Sequence, residues 1–196
     1  MAVRREIPDH DGRYERTTRP ESTPEQIRRG IFELGHTLGR QSRAALPANT
    51  VALGAVILRG GLLLYPGFAK VAPELDFCLL AMERDSDGRA GCRYLTQPPR
   101  REYDTAILID CVAATGGTLL ASRRVLTANC SIPAFQAAVL CSSEPATRTL
   151  LNQGMDVVGF RLDEALDGDV VTPDLGELDA GDLFSGIPAM LQRTAE

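Results

Sequence analysis

At 196 residues the chain is long enough for one well-buried domain with a small appended element. Its net charge of −5, with Lys70 as the sole lysine, argues against nucleic-acid binding by bulk electrostatics, and no apolar run approaches membrane-spanning length. The five cysteines (Cys78, Cys92, Cys111, Cys130, Cys141) are odd in number and lack C-x-x-C spacing, and the two histidines, His10 and His36, leave almost no material for a His-based metal site or triad. Buried reduced thiols in a soluble, cytoplasmic protein are the expectation.

Residues 1–22 alternate basic and acidic side chains around Pro8 and Pro20 without periodicity, and they lack the apolar core of a signal peptide. They read as a polar N-terminal arm or a disordered lead-in, with Arg4, Arg5, Arg13, Arg16 and Arg19 solvated or reaching toward a substrate phosphate. A helix then starts on Thr23, a good N-cap, with Pro24 at the first helical position and Gln26 completing a capping box. Ile27, Ile31, Leu34 and Leu38 recur at helical spacing, and the helix is predicted to end near Ala45, before Pro47. His36 lies off that apolar stripe and reads as a surface residue.

Residues 51–58 predict the first core strand, apolar on both faces as parallel strands are. It ends in Arg59-Gly60-Gly61, and residues 62–71 predict a helix. A second strand covers 76–82. Residues 83–103, rich in Gly, Pro and charge, read as a long loop and candidate lid. The apolar run from Thr105 that ends in the acid Asp110 predicts a third strand, and after a Gly-rich turn a helix follows to about Asn129. A fourth strand covers 134–140, and a short helix has Ser143 as N-cap and Gly154 as its stop. A fifth strand covers 155–162. Strands alternating with helices imply an α/β fold, a parallel sheet flanked by helices. The acidic tail from Asp163 is punctuated by Val170-Val171, Leu175, Leu178 and Leu183-Phe184, which suggests a C-terminal cap over the sheet edge. The expected division is a 1–22 arm, a 23–162 core, and a 163–196 cap and tail.

The stretch Asp110-Cys111-Val112-Ala113-Ala114-Thr115-Gly116-Gly117-Thr118 organises the rest. A strand ends in an acid, a small Gly-rich turn follows, and a helix begins. Bare turn amides and the positive end of a helix dipole suit a phosphate, and an acid at the carboxyl end of the strand can take hydroxyls beside it. A ribose 5-phosphate needs both features. A plain strand-to-helix turn is the competing reading, because the stretch lacks the G-K-[ST] of a Walker loop and the G-x-G-x-x-G of dinucleotide folds. Arg59, at the same expected edge, offers planar bidentate donors for a further phosphate.

Four separated motifs, in order, resemble the type I phosphoribosyltransferases, and within them the uracil phosphoribosyltransferases. Ile57-Leu58-Arg59-Gly60-Gly61 resembles that family's I-L-R-A-G pyrophosphate loop, and Met82-Glu83-Arg84-Asp85 a strand end whose Arg reaches the same group. The Asp110–Thr118 stretch resembles D-P-M-L-A-T-G-G-S, the motif for phosphoribosyl diphosphate (PRPP). Asp179-Ala180-Gly181-Asp182 resembles the G-D-A-G-D segment of the base pocket. The resemblance runs from residue 23 to residue 186. It implies that Ala113, Ala114, Thr115, Gly116, Gly117 and Thr118 cradle the 5′-phosphate and that Asp110 takes the ribose hydroxyls. It places Arg59, Gly60 and Arg84 on the pyrophosphate, making Asp110, Arg59 and Arg84 the catalytic set. Val171, Leu178, Asp179, Ala180 and Asp182 would line the acceptor site, and Mg²⁺ would be carried by PRPP rather than by side chains.

Three departures accompany the match. The family's β-arm between first helix and first strand has no counterpart, because Leu46-Pro47-Ala48-Asn49-Thr50 alone separates Ala45 from Val51; any homodimer would form without that arm. Cys111 replaces the Pro after the acid. In Val171-Thr172-Pro173-Asp174-Leu175-Gly176-Glu177-Leu178-Asp179, two extra residues precede the D-A-G-D, Leu178 stands for a Gly, and Asp174 for another. The donor half matches and the acceptor half is remodelled. The leading reading is transfer of the phosphoribosyl group to uracil or a related nitrogen heterocycle. The alternatives are a biosynthetic paralogue with a different acceptor, a non-catalytic PRPP or nucleotide sensor, and a general phosphate-binding α/β domain. Nucleic acid and membrane are not expected partners.

Overall fold

Apolar runs without alternation can be buried on both faces only inside a covered sheet, and that is where this chain puts them. The computed structural model describes residues 2–19, 22–84, 90–167 and 170–172. The elements are β1 (Arg4–Glu6), α1 (Arg13–Thr18), α2 (Pro24–Ala44), β2 (Ala52–Leu58), α3 (Gly60–Val71), β3 (Asp76–Arg84), β4 (Ala90–Leu95), β5 (Thr105–Ala113), α4 (Gly117–Asn129), β6 (Ala134–Ser143), α5 (Glu144–Asn152), β7 (Asp156–Asp167) and β8 (Val170–Thr172). The strand order is β1-β7-β6-β5-β2-β3-β4, parallel throughout except for β4, which runs antiparallel to β3. β8 turns back antiparallel on the far end of β7.

Two hydrophobic clusters sandwich the sheet. On one face Ile27, Ile31, Leu34 and Leu38 of α2 join Leu64 and Phe68 of α3 over Val56, Ile109 and Val158. On the other, Leu119 and Leu126 of α4 and Leu150 of α5 cover Leu53, Leu108 and Val139. The start of α2 follows the sequence logic: Thr23 Oγ1 accepts from Gln26 N–H at 3.2 Å, and Gln26 Oε1 accepts from Thr23 N–H at 2.8 Å. Residues 45–51 are all that join α2 to β2, so the family's β-arm is absent from this connection. All five cysteines are free thiols, four of them buried. No helix among the described residues is long and apolar enough to cross a membrane.

Two expectations need correcting. The N-terminal segment is not a loose lead-in. β1 pairs with β7 at the sheet edge, and Ile7 and Tyr14 are buried. Arg4 pairs with Asp163 at 2.6 Å, and Arg161 with Glu15 at 2.7 Å. The polar composition hid this because a three-residue edge strand is held by its backbone. The segment 83–103 is likewise not one long loop. β4 pairs with β3 through a bulge at Ala81/Met82, and Thr96 closes the ladder, its Oγ1 accepting from Leu79 N–H at 2.7 Å. The return passage ends at the opposite edge, where Asp104 N–H donates to the Val51 carbonyl at 2.9 Å.

Candidate active site

Parallel register fixes which residues meet at the carboxyl edge of the sheet. Val56 of β2 is level with Ile109 of β5, and Ala113 of β5 is level with Ser142 of β6. The ends of the neighbouring strands β2 and β5 therefore bring Arg59-Gly60, Asp110 and the 113–118 turn to one edge, where open α/β sheets place ligands.

Asp110 is half-buried near the end of β5, with Oδ1 accepting from Cys111 N–H at 2.8 Å. Burial pushes its carboxyl up to about 7, against the opposing pull of that N–H. Gly60 lies directly against it: a Cβ at Gly60 would overlap Asp110 Oδ1. Glycine is thus required by a close approach of two chain segments, and the Gly-Gly after Arg59 is the sequence signal for it. Arg59 caps α3 with its side chain exposed and makes no ion pair among the described residues. The Leu58–Arg59 peptide is cis.

The turn after β5 encloses a cleft of about 220 Å³ lined by Val112 to Leu119. Gly116 reverses the chain at φ 75°, a left-handed conformation that favours glycine, and caps α4 without a side-chain bond. Thr115 Oγ1 accepts weakly from Gly117 N–H at 3.4 Å. The remaining first-turn amides of α4 have no intrahelical acceptor, which makes the cleft an anion cradle of the right chemistry.

Sequence reasoning missed what holds this turn in place. Ser143 Oγ donates to the Ala114 carbonyl at 2.6 Å while accepting from Ala146 N–H at 3.0 Å. One hydroxyl therefore caps α5 and pins the phosphate turn. Beside it, Ser142 Oγ lies 3.4 Å from the Ala113 carbonyl and 3.0 Å from Thr147 Oγ1, which donates to Leu162 of β7 at 2.8 Å. All three hydroxyl residues are buried. The N-cap signal at Ser143 was readable; its second bond, to a residue 29 positions away, was not.

Arg84 is the last residue of β3, its backbone paired with Ala90. It stands three residues beyond Ala81, the partner of Leu58, so the hairpin extends past the site edge by roughly 10 Å. Val171 lies in β8, paired with Leu166. Leu178, Asp179, Ala180 and Asp182 fall outside the described residues. Among the described residues no group of three or more His, Cys, Asp or Glu could hold a metal ion. Asp110, with one oxygen already bonded, offers a single free carboxylate oxygen at this edge.

Known proteins share this fold. The structure superposes on the AQ2163 protein of Aquifex aeolicus with a TM-score of 0.82 at 18% identity, covering 95% of this chain and 99% of that one. On the adenine phosphoribosyltransferase of Leishmania donovani the TM-score is 0.50 at 21% identity, covering 82% and 78%. The parallel sheet flanked by helices is the fold that this chain shares with those structures. The sequence model of the family described as uracil phosphoribosyltransferase matches residues 30–184, and the chain belongs to that family. Relatives include urg2 of Schizosaccharomyces pombe, provisionally named a uracil phosphoribosyltransferase, 29% identical over 168 residues that span 85% of this chain and 80% of that protein. The uracil phosphoribosyltransferase of Methanothermobacter thermautotrophicus strain Delta H is 27% identical over 190 residues, 85% of this chain and 86% of that protein. The chain is a phosphoribosyltransferase, an enzyme of the glycosyltransferase type.

Proposed function

We propose that the enzyme moves the 5-phosphoribosyl group from PRPP to uracil or a closely related nitrogen heterocycle, forming UMP in the uracil case and releasing pyrophosphate, as in pyrimidine salvage in the cytoplasm. The observation that carries this reading is the abutment of Gly60 on Asp110 beside an open α4 N-terminus. The acid Asp110, the Gly-rich turn after it and the Arg59 loop share one sheet edge, which supports a sugar phosphate as the ligand. Names of relatives at modest identity support uracil.

In this reading the 5′-phosphate sits in the cleft of residues 113–118, Asp110 accepts from the ribose hydroxyls, and Arg59 with Arg84 takes the pyrophosphate. A ring nitrogen of the acceptor displaces pyrophosphate from C1 in line, through a transition state with positive charge shared between C1 and the ring oxygen. Catalysis rests on positioning and on stabilising the departing charge, which a chain with so little histidine can supply through guanidiniums and backbone amides. Magnesium fits as a companion of the substrate, since Asp110 could lend at most one oxygen and the diphosphate the rest. Residues 163–196 would form the acceptor cap, with Val171, Leu178, Asp179, Ala180 and Asp182 around the base. The altered spacing at 171–182 favours a second reading, in which the acceptor is a heterocycle other than uracil.

Incubation with PRPP, Mg²⁺ and a panel of bases, following pyrophosphate release and base consumption, tests both. Turnover with uracil supports salvage, turnover with another base alone supports the second reading, and tight PRPP binding without any turnover defeats both.

A further inference from the structure

Two neighbouring chain segments must keep a fixed spacing if one substrate is to span them, and here they meet through glycines. A Cβ at Gly60 would overlap Asp110 Oδ1, and a Cβ at Gly61 would overlap the Ile109 carbonyl oxygen. Contact of this kind stops the start of α3 from moving inward, but it does not resist outward motion. Arg59, which caps α3 without a side-chain bond, does not resist it either.

The restraint in that direction comes from Cys111. Its Sγ lies 3.2 Å from the carbonyl oxygen of Gly60, 51 positions earlier in the chain. Among the described residues this is the one hydrogen bond between residues 59–61 and the end of β5. The side chain is fully buried, and the Cys111 N–H donates to Asp110 Oδ1 at 2.8 Å. Burial, then the charge of Asp110 and the neighbouring Cys141, push the thiol well above its ordinary range, so the sulfur keeps its proton and remains a donor. One residue thus holds the Asp110 carboxylate through its amide and the Arg59 loop through its thiol.

We propose that Cys111 is a positioning residue for the donor: it fixes the spacing between Asp110 and the first turn of α3, and so favours a ligand that reaches both over a ligand that reaches only one. The inference deepens the donor reading above and rests on it. In that reading ribose 5-phosphate reaches Asp110 and the 113–118 turn, pyrophosphate reaches Arg59, and PRPP alone bridges the two. A preset spacing removes an ordering cost that only the bridging ligand would otherwise carry. The two fragments, each held at one end, gain nothing from it.

The test is calorimetric titration of the full chain, with Mg²⁺ present, against PRPP, ribose 5-phosphate and pyrophosphate in turn. In Cys111→Ala, PRPP should bind about fivefold more weakly, while the two fragments keep their affinities. Cys111→Ser retains a donor on the same stem and should recover most of the loss. Thermal unfolding checks each variant, and Cys111→Val, which fills the site without a donor, takes the place of Cys111→Ala if that chain does not fold. Unmoved PRPP affinity, equal weakening of all three ligands, or a loss that Cys111→Ser shares in full overturns the inference. An Arg59→Ala control separates it from the donor reading. If pyrophosphate binding ignores Arg59, that reading falls and the inference falls with it; if Arg59→Ala weakens pyrophosphate while Cys111→Ala leaves PRPP unmoved, the inference falls alone.

Discussion

The thiol of Cys111 donates to the carbonyl oxygen of Gly60 at 3.2 Å, tying the strand end that carries Asp110 to the loop that carries Arg59. The family's proline at this position has no donor to offer, so the tie belongs to the cysteine. Both ends of the proposed ribose–pyrophosphate span are thereby joined through three atoms of the chain's own packing: the Cys111 sulfur, the Gly60 oxygen, and the Asp110 oxygen against Gly60.

Gly60→Ala should therefore damage function more than stability. The new methyl would displace the Asp110 carboxylate or the Arg59 loop, and misplacement on the order of 1 Å at a positioning site costs about 100-fold. We expect kcat/KM for PRPP to fall by roughly that factor while the protein stays folded. Near-wild-type kcat/KM would remove the reason for placing the ribose between these residues.

Asp110 has a pH signature of opposite sign in stability and in activity. Its carboxyl titrates near 3.8 when unfolded and near 7 when folded. Between those values the unfolded chain has released the proton and the folded chain still holds it, so this residue makes stability fall as pH rises from about 4 to about 7. Asp110→Asn should raise Tm at pH 8 by several degrees, on the order of 2–8 °C, and by less at pH 5. The same substitution should lower kcat/KM for PRPP about 100-fold and remove a rise in that parameter through pH 7. A variant with unaltered kinetics would show that Asp110 is a packing residue.

Ser143 joins a helix cap to the phosphate turn. Ser143→Ala removes the bond to Ala146 N–H and leaves the Ala114 carbonyl without its buried donor. A cost of about 1–2 kcal/mol is expected, together with a raised KM for PRPP and little change in kcat. Thermal unfolding and steady-state kinetics on one preparation separate the two effects; a stability loss with an unmoved KM would limit Ser143 to capping.

How much of this was readable follows from what each element depends on. α2, β2, β5 and α5 announce themselves because their signals are local: the capping box at Thr23, the unbroken apolar run of β2, the acid and glycines ending β5, the serine before Glu144-Pro145. The pairing of β1 is not local. Its three residues are all exposed, and what holds them is the β7 backbone more than 150 positions away. β4 alternates weakly, with Cys92 and Tyr94 in a mostly polar run, so its strand character shows only once β3 supplies a ladder. Arg59-Gly60-Gly61 and Asp110 were each legible as edge residues. Their contact was not, because register between β2 and β5 is a property of the assembled sheet.

The ordered N-terminus gives a prediction that the sequence alone would have denied. Deleting residues 2–19 removes the β1 ladder, the buried Ile7 and Tyr14, and the Arg4–Asp163 and Arg161–Glu15 pairs. The two apolar side chains alone contribute about 3 kcal/mol or more, so Tm should drop by roughly 6–12 °C. A truncated chain as stable as the full one would mean that β7 is an adequate edge by itself.

The acceptor question turns on Glu177-Leu178. By the family resemblance, the residue before Asp179 corresponds to a glycine whose amide lies against the base, and a leucine in that place would bring a side chain into the approach. The two extra residues ahead of the D-A-G-D add length to the same segment of sequence. Replacing Glu177-Leu178 by a single glycine shortens the segment and restores the open amide in one step. If these residues close the pocket to uracil, kcat/KM for uracil should rise roughly tenfold or more while the KM for PRPP stays put, since a pocket wall acts on the acceptor and not on the donor. A gain confined to uracil would also mark the native chain as tuned for a differently shaped base, and the base panel would then identify it by loss of its preferred acceptor in the same variant. If uracil use does not improve, the insertion turns away from the base, and acceptor choice lies instead with Val171 and its neighbours on β8.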